Sequence, residues 1–287
     1  MTKEESKNIK GRIGRGEKKQ KKKESLVSVC YSTTPIHRTA SEVASALILG
    51  ETKENIEQFK TEDILKVASL SKSKKECFLD IKEYSQKLSN DKLPIVVLDG
   101  AKSLWSLAES TFSNKKFVGI LDIIHVRDYL YVAGHALHKE GSHKLRQWVF
   151  KKCELILEGK VEDVILELKS SSLKVSKSKF LALLKTIKYF TNHLQYMKYD
   201  QYLKKGYPIA SGVVESACSQ VVANRCELPG ARWSINGAEA ILKIRSVTSS
   251  NLWNEYWSYT KTYKENINYS NYLEAVNNVL DKVQLCG

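Results

Sequence analysis

The sequence has little proline and glycine and no long apolar run. Its 4 prolines and 14 glycines among 287 residues exclude a collagenous or proline-rich scaffold protein. No run approaches the roughly 18 apolar residues of a membrane-spanning helix, and the first residues lack the apolar core of a secretory signal. Because 42% of the positions are hydrophobic, we expect a globular chain that buries one large core or two modest ones.

The sequence also lacks the paired cysteines of a zinc ribbon or a disulfide framework. None of its 6 cysteines forms a CxxC pair: Cys30, Cys77, Cys153, Cys218, Cys226 and Cys286. We interpret them as reduced thiols of an intracellular protein. Histidines cluster at His125, His135, His138 and His143, but zinc needs a full set of converging ligands. Ordinary histidines of a helix surface or a core are the better interpretation.

Acidic residues are too few to balance the basic ones, and the net charge is +14. The lysine-dense stretch at residues 1–24 holds part of this charge, but the remainder of the chain is basic as well. This favours a polyanionic partner, since neutralising phosphates releases counterions, over a solvated tail without a partner. We therefore expect nucleic acid to contact the basic arm, at Lys18, Lys19, Lys21, Lys22 and Lys23.

Local patterns predict the first elements. Apolar and polar residues alternate over residues 25–32, which is typical of a strand. Residues 41–50 open with a serine N-cap and end at a glycine, which indicates a helix. We predict further helical stretches over residues 62–69 and 74–88.

A strand–helix–strand unit follows. The β-branched runs at 94–99 and 117–126 flank a helical pattern of about 12 residues, which predicts a right-handed crossover between parallel strands. Asp99 would then lie at the carboxyl end of the first strand, and Asp122 within or near the end of the second. Ligands of open α/β sheets bind beyond these ends.

The remainder of the chain is predicted to be helical. Apolar spacing over residues 126–204 indicates about four helices, and a turn at Gly206 and Pro208 leads into a helix through Ser211 and Gly212. We divide the chain into a basic arm at 1–24, a first core part at 25–125, a helical insertion at 126–207 and a C-terminal helical part at 208–287.

Asp99, Asp122 and Glu215 are acidic residues in apolar surroundings, where carboxylates are uncommon. Carboxylates gathered on strand ends and a helix can hold Mg²⁺ ions for phosphodiester chemistry. Each also has a purely structural interpretation. An Asp at a strand end caps the following turn or helix, and a Glu in the first turn of a helix suits the helix dipole.

Basic and aromatic residues near the C-terminus leave alternatives open too. Arg225, Arg232 and Arg245 can contact phosphates or pair with neighbouring acids. Trp253 and Trp257 can stack on bases, although two Trp residues four positions apart on a helix more often belong to a core.

Three segments resemble the Kra-type insertion-sequence transposases of bacteria, which belong to the Mutator-like DDE group. They are VVLDGAKSLWSLAESTF, then GILDIIHVRDYLYVAGHALHKEGS, then YFTNHLQYMKYDQYLKKGYPIASGVVESACSQVVANRCELPGARWSINGAEAILKIRS. The likeness extends from about residue 18 to residue 257, and GYPIxSGVVESAC followed by GARW is its most specific part.

The resemblance implies a predominantly helical α/β chain with a ribonuclease-H-like core, incomplete at its N-terminus and interrupted by a helical insertion. Asp99 and Glu215 match the family's catalytic acids, and Asp122 with His125 matches its Asp-x-x-His pair. Asp122 is then a metal ligand or an organiser of one, and His125, Arg225 and Arg232 orient it or contact phosphate. A two-ion site for Mg²⁺ or Mn²⁺ is implied.

The implied partners are double-stranded DNA, as transposon ends and target, and a homodimer is compatible with the family. The implied location is the bacterial cytoplasm in association with the nucleoid. Residues 1–24 contain no Asp, whereas the family carries its first catalytic Asp on a first strand, so we expect that ligand to be missing. A DNA-binding protein without catalysis is the alternative function, and a helical interaction protein whose carboxylates are only caps and core pairs is a third.

Overall fold

Two pairs of strands and a set of helices form a mixed, predominantly helical α/β fold in the computed structural model. It describes residues 23–50, 59–88, 93–112, 117–173 and 175–265, together with 267 and 270. The strands are β1 (Leu26–Thr33), β2 (Thr61–Ser69), β3 (Ile95–Leu98) and β4 (Val118–Leu121).

Most helices follow the strands. They are α1 (Ala40–Ala44), α2 (Lys74–Leu88), α3 (Lys102–Thr111), α4 (Ile123–Leu137), α5 (His143–Leu157), α6 (Val161–Ser172), α7 (Lys177–His193), α8 (Tyr199–Lys204), α9 (Gly212–Ala217), α10 (Asn224–Cys226) and α11 (Ile235–Ser249). Two π-helical turns, Ser45–Leu49 and Cys218–Ala223, extend α1 and α9, and a 3₁₀ turn, Leu194–Tyr196, follows α7. Residues 253–265 are helical as well.

β1 and β2 pair antiparallel, with Leu26 opposite Ser69 and an irregularity between Cys30 and Ser32. The prediction of a helix over residues 62–69 is therefore wrong. The segment has apolar residues at Ile64, Leu65, Val67 and Ala68, a spacing that suits one face of a helix. Pairing with β1 outweighs this local pattern, because a strand's conformation depends strongly on its neighbours.

β3 and β4 pair parallel, with Ile95 opposite Val118 and Leu98 opposite Leu121, and α3 makes the connection. The predicted strand–helix–strand unit is confirmed. The second strand is shorter than the apolar run suggested, because it ends at Leu121 and α4 begins at Ile123. The Asp122 carboxylate accepts a hydrogen bond from the Ile124 amide at 3.0 Å and so caps the helix.

Side chains of α11 satisfy the outer edge of β2. The Ser250 hydroxyl accepts a hydrogen bond from the Lys66 amide at 2.8 Å, and the Ser246 hydroxyl accepts one from the Ala68 amide at 3.1 Å. Ser246 lies in the last turn of α11, and Ser250 is the residue that caps its C-terminus. Glu239, further back on α11, accepts from the Leu70 amide at 2.7 Å. The helix thus covers an edge that would otherwise be open to another chain.

The outer edge of β4 is satisfied in the same way. The Tyr202 and Tyr199 hydroxyls of α8 donate to the carbonyl oxygens of Gly119 and Leu121, at 3.1 and 2.7 Å. Just beyond the strand, the Ile123 amide donates to the Ile209 carbonyl oxygen at 3.0 Å.

The other edges, of β1 and β3, have no backbone partner within the described ranges. Val27 and Val29 lie opposite Ala68 and Lys66, whose amides point outward, so their own backbone groups point away from β2. Ile95 and Val97 alternate with the residues that bond β4, so they likewise face away from it. All residues of β1 and β3 are only half-buried.

The largest core lies among α4–α8 and β4. Its fully buried side chains include Leu130, Val149, Ile156, Leu168 and Phe190. The bounds of α4–α8 confirm the prediction that residues 126–204 are helical, with five α-helices where about four were expected. None of the described helices combines the length and apolar character that a bilayer crossing requires. The five described cysteines, all except Cys286, are free thiols, as predicted.

The aromatic residues of helix 253–265 are exposed. Trp253, Trp257 and Tyr259 expose 40%, 50% and 68% of their surface, so the prediction that the two Trp residues form a core is wrong. Their rings pack on each other, with 5.6 Å between the Trp centroids.

The two serines of α11 provide a test of this edge protection. Replacing both, Ser246→Ala and Ser250→Ala, leaves two strand amides without an acceptor, and we expect a loss of about 1–3 kcal/mol of unfolding free energy. Urea denaturation measures it. Thr248→Ala, an exposed position whose hydroxyl bonds only within the helix, should change stability by less than about 0.5 kcal/mol. Equal effects would contradict the capping role.

Candidate active site

Asp99 and Asp122 lie side by side at the carboxyl end of the parallel pair. Each is the residue after its strand, and the last residues of the strands, Leu98 and Leu121, are opposite each other. The Asp122 amide continues the ladder by donating to the Leu98 carbonyl oxygen at 2.9 Å. Neighbouring strands are about 4.8 Å apart, so the two acids occupy one end of the sheet, as the sequence predicted.

Asp122 is almost completely buried, with 1% of its surface exposed, and both carboxylate oxygens are engaged. Oδ1 accepts from the amides of Ile124 and Ser211, at 3.0 and 3.2 Å. Oδ2 accepts from the Ser211 hydroxyl. This carboxylate therefore joins the end of β4 to the starts of α4 and α9. The structural interpretation of Asp122 as a cap is confirmed.

Asp99 is half-buried and only partly engaged. Its Oδ1 accepts from the Ala101 amide at 2.8 Å, which closes the turn into α3 and confirms the capping interpretation for this oxygen. Oδ2 has no partner among the described residues. One oxygen of Asp99 thus remains free for a ligand.

Glu215 lies one helical turn beyond the bond between Asp122 and Ser211. Its amide donates to the Ser211 carbonyl oxygen at 3.0 Å, and residues four apart share a helix face. The side chain is exposed and has no hydrogen-bond or ion-pair partner among the described residues. No group of three or more His, Cys, Asp or Glu side chains within the described ranges is arranged to hold a metal ion. The three acids are brought to one region without forming a closed cation site.

His125 stands beside this end of the sheet. Its Nε2 lies 3.9 Å from Oδ2 of Asp122, and 45% of its side chain is exposed. Two other histidines of this part of the sequence have different neighbours. His138 packs near Trp148, with 5.8 Å between ring centroids, and His135 lies near Tyr131.

The arginines have different environments. Arg225 is exposed and its guanidinium lies 4.8 Å from the ring centre of Trp233. Arg232 is exposed as well. Arg245 donates to the carbonyl oxygens of Val221, at 3.0 Å, and Gln220. Both lie in the π-helical turn that extends α9, so Arg245 links α11 to the segment that follows Glu215.

Sequence reasoning missed the contact between α7 and the turn after β3. The Tyr189 ring lies against Gly100, where a Cβ atom would come within 2.2 Å of it, and stacks on Tyr129 at 3.7 Å. His193 sits between two carbonyl oxygens, those of Tyr189 and Gly100, at 2.7 and 3.1 Å. The spacing of four residues between Tyr189 and His193 was the available signal, since it places both on one helix face.

The pKa of the Tyr189 phenol is raised. Burial is the main cause, the charges of Tyr129, Asp99 and Asp122 add to it, and a backbone hydrogen bond with Gly100 opposes it.

Of the predicted DNA-contacting lysines, Lys23 is described and exposed. Lys18, Lys19, Lys21 and Lys22 lie outside the described residues.

The bonds of Asp122 lead to a stability prediction. Asp122→Asn keeps the size of the side chain but replaces a carboxylate oxygen that accepts from the Ser211 hydroxyl. We expect the unfolding free energy, measured by chemical denaturation, to fall by about 1–3 kcal/mol. Asp128→Asn is the matched control, because Asp128 is exposed and bonded to Arg127. A change of more than about 0.5 kcal/mol in the control, or none at Asp122, would count against the anchoring role.

Comparisons with known proteins add no relative: no family model, curated protein or solved structure matches the chain. The interpretation of this site therefore depends on the geometry above and on the motifs in the sequence.

Proposed function

We propose that the chain is a DDE-type transposase, similar to the Kra-type enzymes, that cleaves and joins double-stranded DNA. The observation that best supports this proposal is the geometry at the carboxyl end of the parallel strands. Asp99 and Asp122 follow adjacent strands, and Ser211 ties the helix of Glu215 to the same end. The proposed core is ribonuclease-H-like, and α4–α8 form its helical insertion.

The roles of the acids follow from their bonds. Asp99 has one free oxygen and Glu215 is unengaged among the described residues, so these two are the proposed cation ligands. Asp122 uses both oxygens within the protein, so we assign it to positioning rather than to direct coordination. His125, at its side, is available to contact phosphate.

The free oxygens of Asp99 and Glu215 are of the type that Mg²⁺ or Mn²⁺ binds, since both ions prefer carboxylate oxygens and retain water for further contacts. When bound, a pair of these ions activates the attacking water or 3′-hydroxyl and stabilises the leaving oxygen. The protein residues would orient the DNA and the ligands.

A second candidate function is DNA binding without catalysis. It is favoured by the lack of a three-residue metal-holding group within the described ranges. The resemblance places a further Asp on a strand of its own, and the open edges of β1 and β3 are where an additional strand could pair. A chain without that ligand would keep the basic surface and bind metal weakly.

Conservative variants test the ligand assignment. We expect Asp99→Asn and Glu215→Gln each to weaken Mn²⁺ binding at least about tenfold in calorimetry, because each removes a charged oxygen donor. Asp128→Asn and Glu140→Gln, at exposed positions, should leave it unchanged. Metal-dependent nicking of a DNA duplex is measured in parallel. Mn²⁺ binding without nicking would favour the second function, and unchanged binding in both ligand variants would refute the metal site.

The salt dependence of DNA binding tests the basic arm. Binding of a labelled duplex should weaken steeply between about 50 and 200 mM salt, since each phosphate contact contributes about −0.9 to the logarithmic slope. Replacing Lys18, Lys19, Lys21, Lys22 and Lys23 with Gln should make this slope shallower by up to about 4.5, as measured by fluorescence anisotropy. An unchanged slope would place the contacts elsewhere, and salt-insensitive binding would contradict both functions.

A further inference from the structure

The helix at residues 253–265 packs little against the other elements. Each of its residues is exposed except Thr260, which is half-buried. Among the described residues, its side-chain hydrogen bonds and ring contacts all lie within the helix itself. Helices in proteins gain most of their stability by packing an apolar face, so we expect this one to have a partner.

The large apolar side chains of this segment share one face of the helix. We call this set the aromatic face, and its members expose 40–68% of their surface: Trp253, Tyr256, Trp257, Tyr259, Tyr263 and Ile267. With 3.6 residues per turn they fall within an arc of about 160°, and Thr260 lies inside this arc. The opposite face is polar and contains Asn254, Glu255, Ser258, Thr262 and Glu265.

The aromatic face is large enough to pair with a second copy. A Trp or Tyr side chain offers roughly 150–250 Å², so its five exposed rings leave about 500 Å² uncovered in each copy. Two copies would together bury about 1,000 Å², which reaches the lower limit of a specific interface. An exposed apolar patch of this size usually marks an interaction site.

The charge of the helix separates a protein partner from DNA or a membrane. Lys261 and Lys264 are balanced by Glu255 and Glu265, so the helix has no net charge, whereas the whole chain carries +14. Helices that bind phosphate backbones or acidic membranes are rich in Lys and Arg. The aromatic face therefore favours an apolar surface of a protein chain.

The order of the side chains suits a copy of the same helix. Thr260 lies midway between Trp253 and Ile267, and also midway between Trp257 and Tyr263. Two such helices that cross antiparallel at Thr260 would place Trp253 of one copy against Ile267 of the other. Trp257 would meet Tyr263 in the same way. A two-fold contact requires this reciprocity.

We propose that the aromatic face is the surface through which two copies of this chain form an antiparallel, two-fold dimer. Transfer of exposed rings out of water drives the association. The inference does not depend on the proposed function, because the aromatic face contains none of the acids of the candidate active site.

Sedimentation equilibrium of the full chain tests the dimer. We expect the apparent mass to rise from 32.6 kDa toward twice this value as the concentration increases. Trp257→Ala should raise the dissociation constant at least about tenfold, since buried Trp side chains are frequent hot spots of interfaces. Leu173→Ala is the matched control and should leave the constant unchanged, because Leu173 is 84% exposed outside the aromatic face.

Disulfide cross-linking tests the register of the two helices. Under mild oxidation with diamide, Thr260→Cys should give a covalent dimer, since the two-fold axis brings this position close to itself. Ser258→Cys, on the opposite face, should give no more dimer than the unmodified chain. The unmodified chain sets the background, because its own Cys218 is exposed.

A monomer at every concentration would overturn the inference, and labelling of the Thr260→Cys thiol with a maleimide then identifies what covers the face. Protection only after a DNA duplex is added would assign the face to DNA. Protection in the monomer alone would assign it to residues 271–287 of the same chain. A dimer whose dissociation constant is unchanged in Trp257→Ala would place the contact on another surface and overturn the inference as well.

Discussion

The hydrogen bonds between Asp122 and Ser211 hold together the parts of the candidate site. They link two residues 89 positions apart and fasten α9, with Glu215, to the end of β4. The Asp122 carboxylate is nearly inaccessible to water, so its charge is tolerated only because three donors satisfy it. Together with the bond between the Ile123 amide and the Ile209 carbonyl oxygen, this junction fixes the start of the helix that carries Glu215. The site's geometry therefore depends on a residue that need not touch the ligand.

The two small sheets depend on helices for a related reason. A two-stranded sheet is marginal by itself, and one outer edge of each sheet is satisfied by hydroxyl groups: those of Ser246 in α11 and Ser250 at its C-cap for β2, and those of the α8 tyrosines for β4. The spacing works because hydroxyls three or four residues apart on a helix match alternate residues of a strand. The edges of β1 and β3, which have no backbone partner among the described residues, contrast with this arrangement.

Prediction from the sequence succeeded where local patterns and tertiary contacts agree. The strand before Asp99, helix α3, helix α2 and the helical stretch after residue 126 have unambiguous periodicity and were predicted correctly. Prediction failed at residues 62–69, where apolar residues with helical spacing lie in a strand paired with β1. It also failed after Leu121, where α4 begins within a continuous apolar run. In the site, the convergence of Asp99 and Asp122 followed from parallel pairing, but the difference in their bonds did not. The contact between Tyr189 and Gly100 was missed because it joins segments that are distant in the sequence.

Periodicity, caps and the order of the elements were sufficient to place two acids at one strand end and a basic, helical chain around them. These features act over a few residues, and their energies are local. Contacts between distant segments decide which carboxylate oxygen of the site is free and which carboxylate is fully engaged by hydrogen bonds within the protein. Asp122 meets Ser211, and Gly100 meets Tyr189, only because the helices between them pack into one core. Folding brings these groups together by burying apolar surface, which is insensitive to their chemistry, and their roles are therefore visible only in three dimensions.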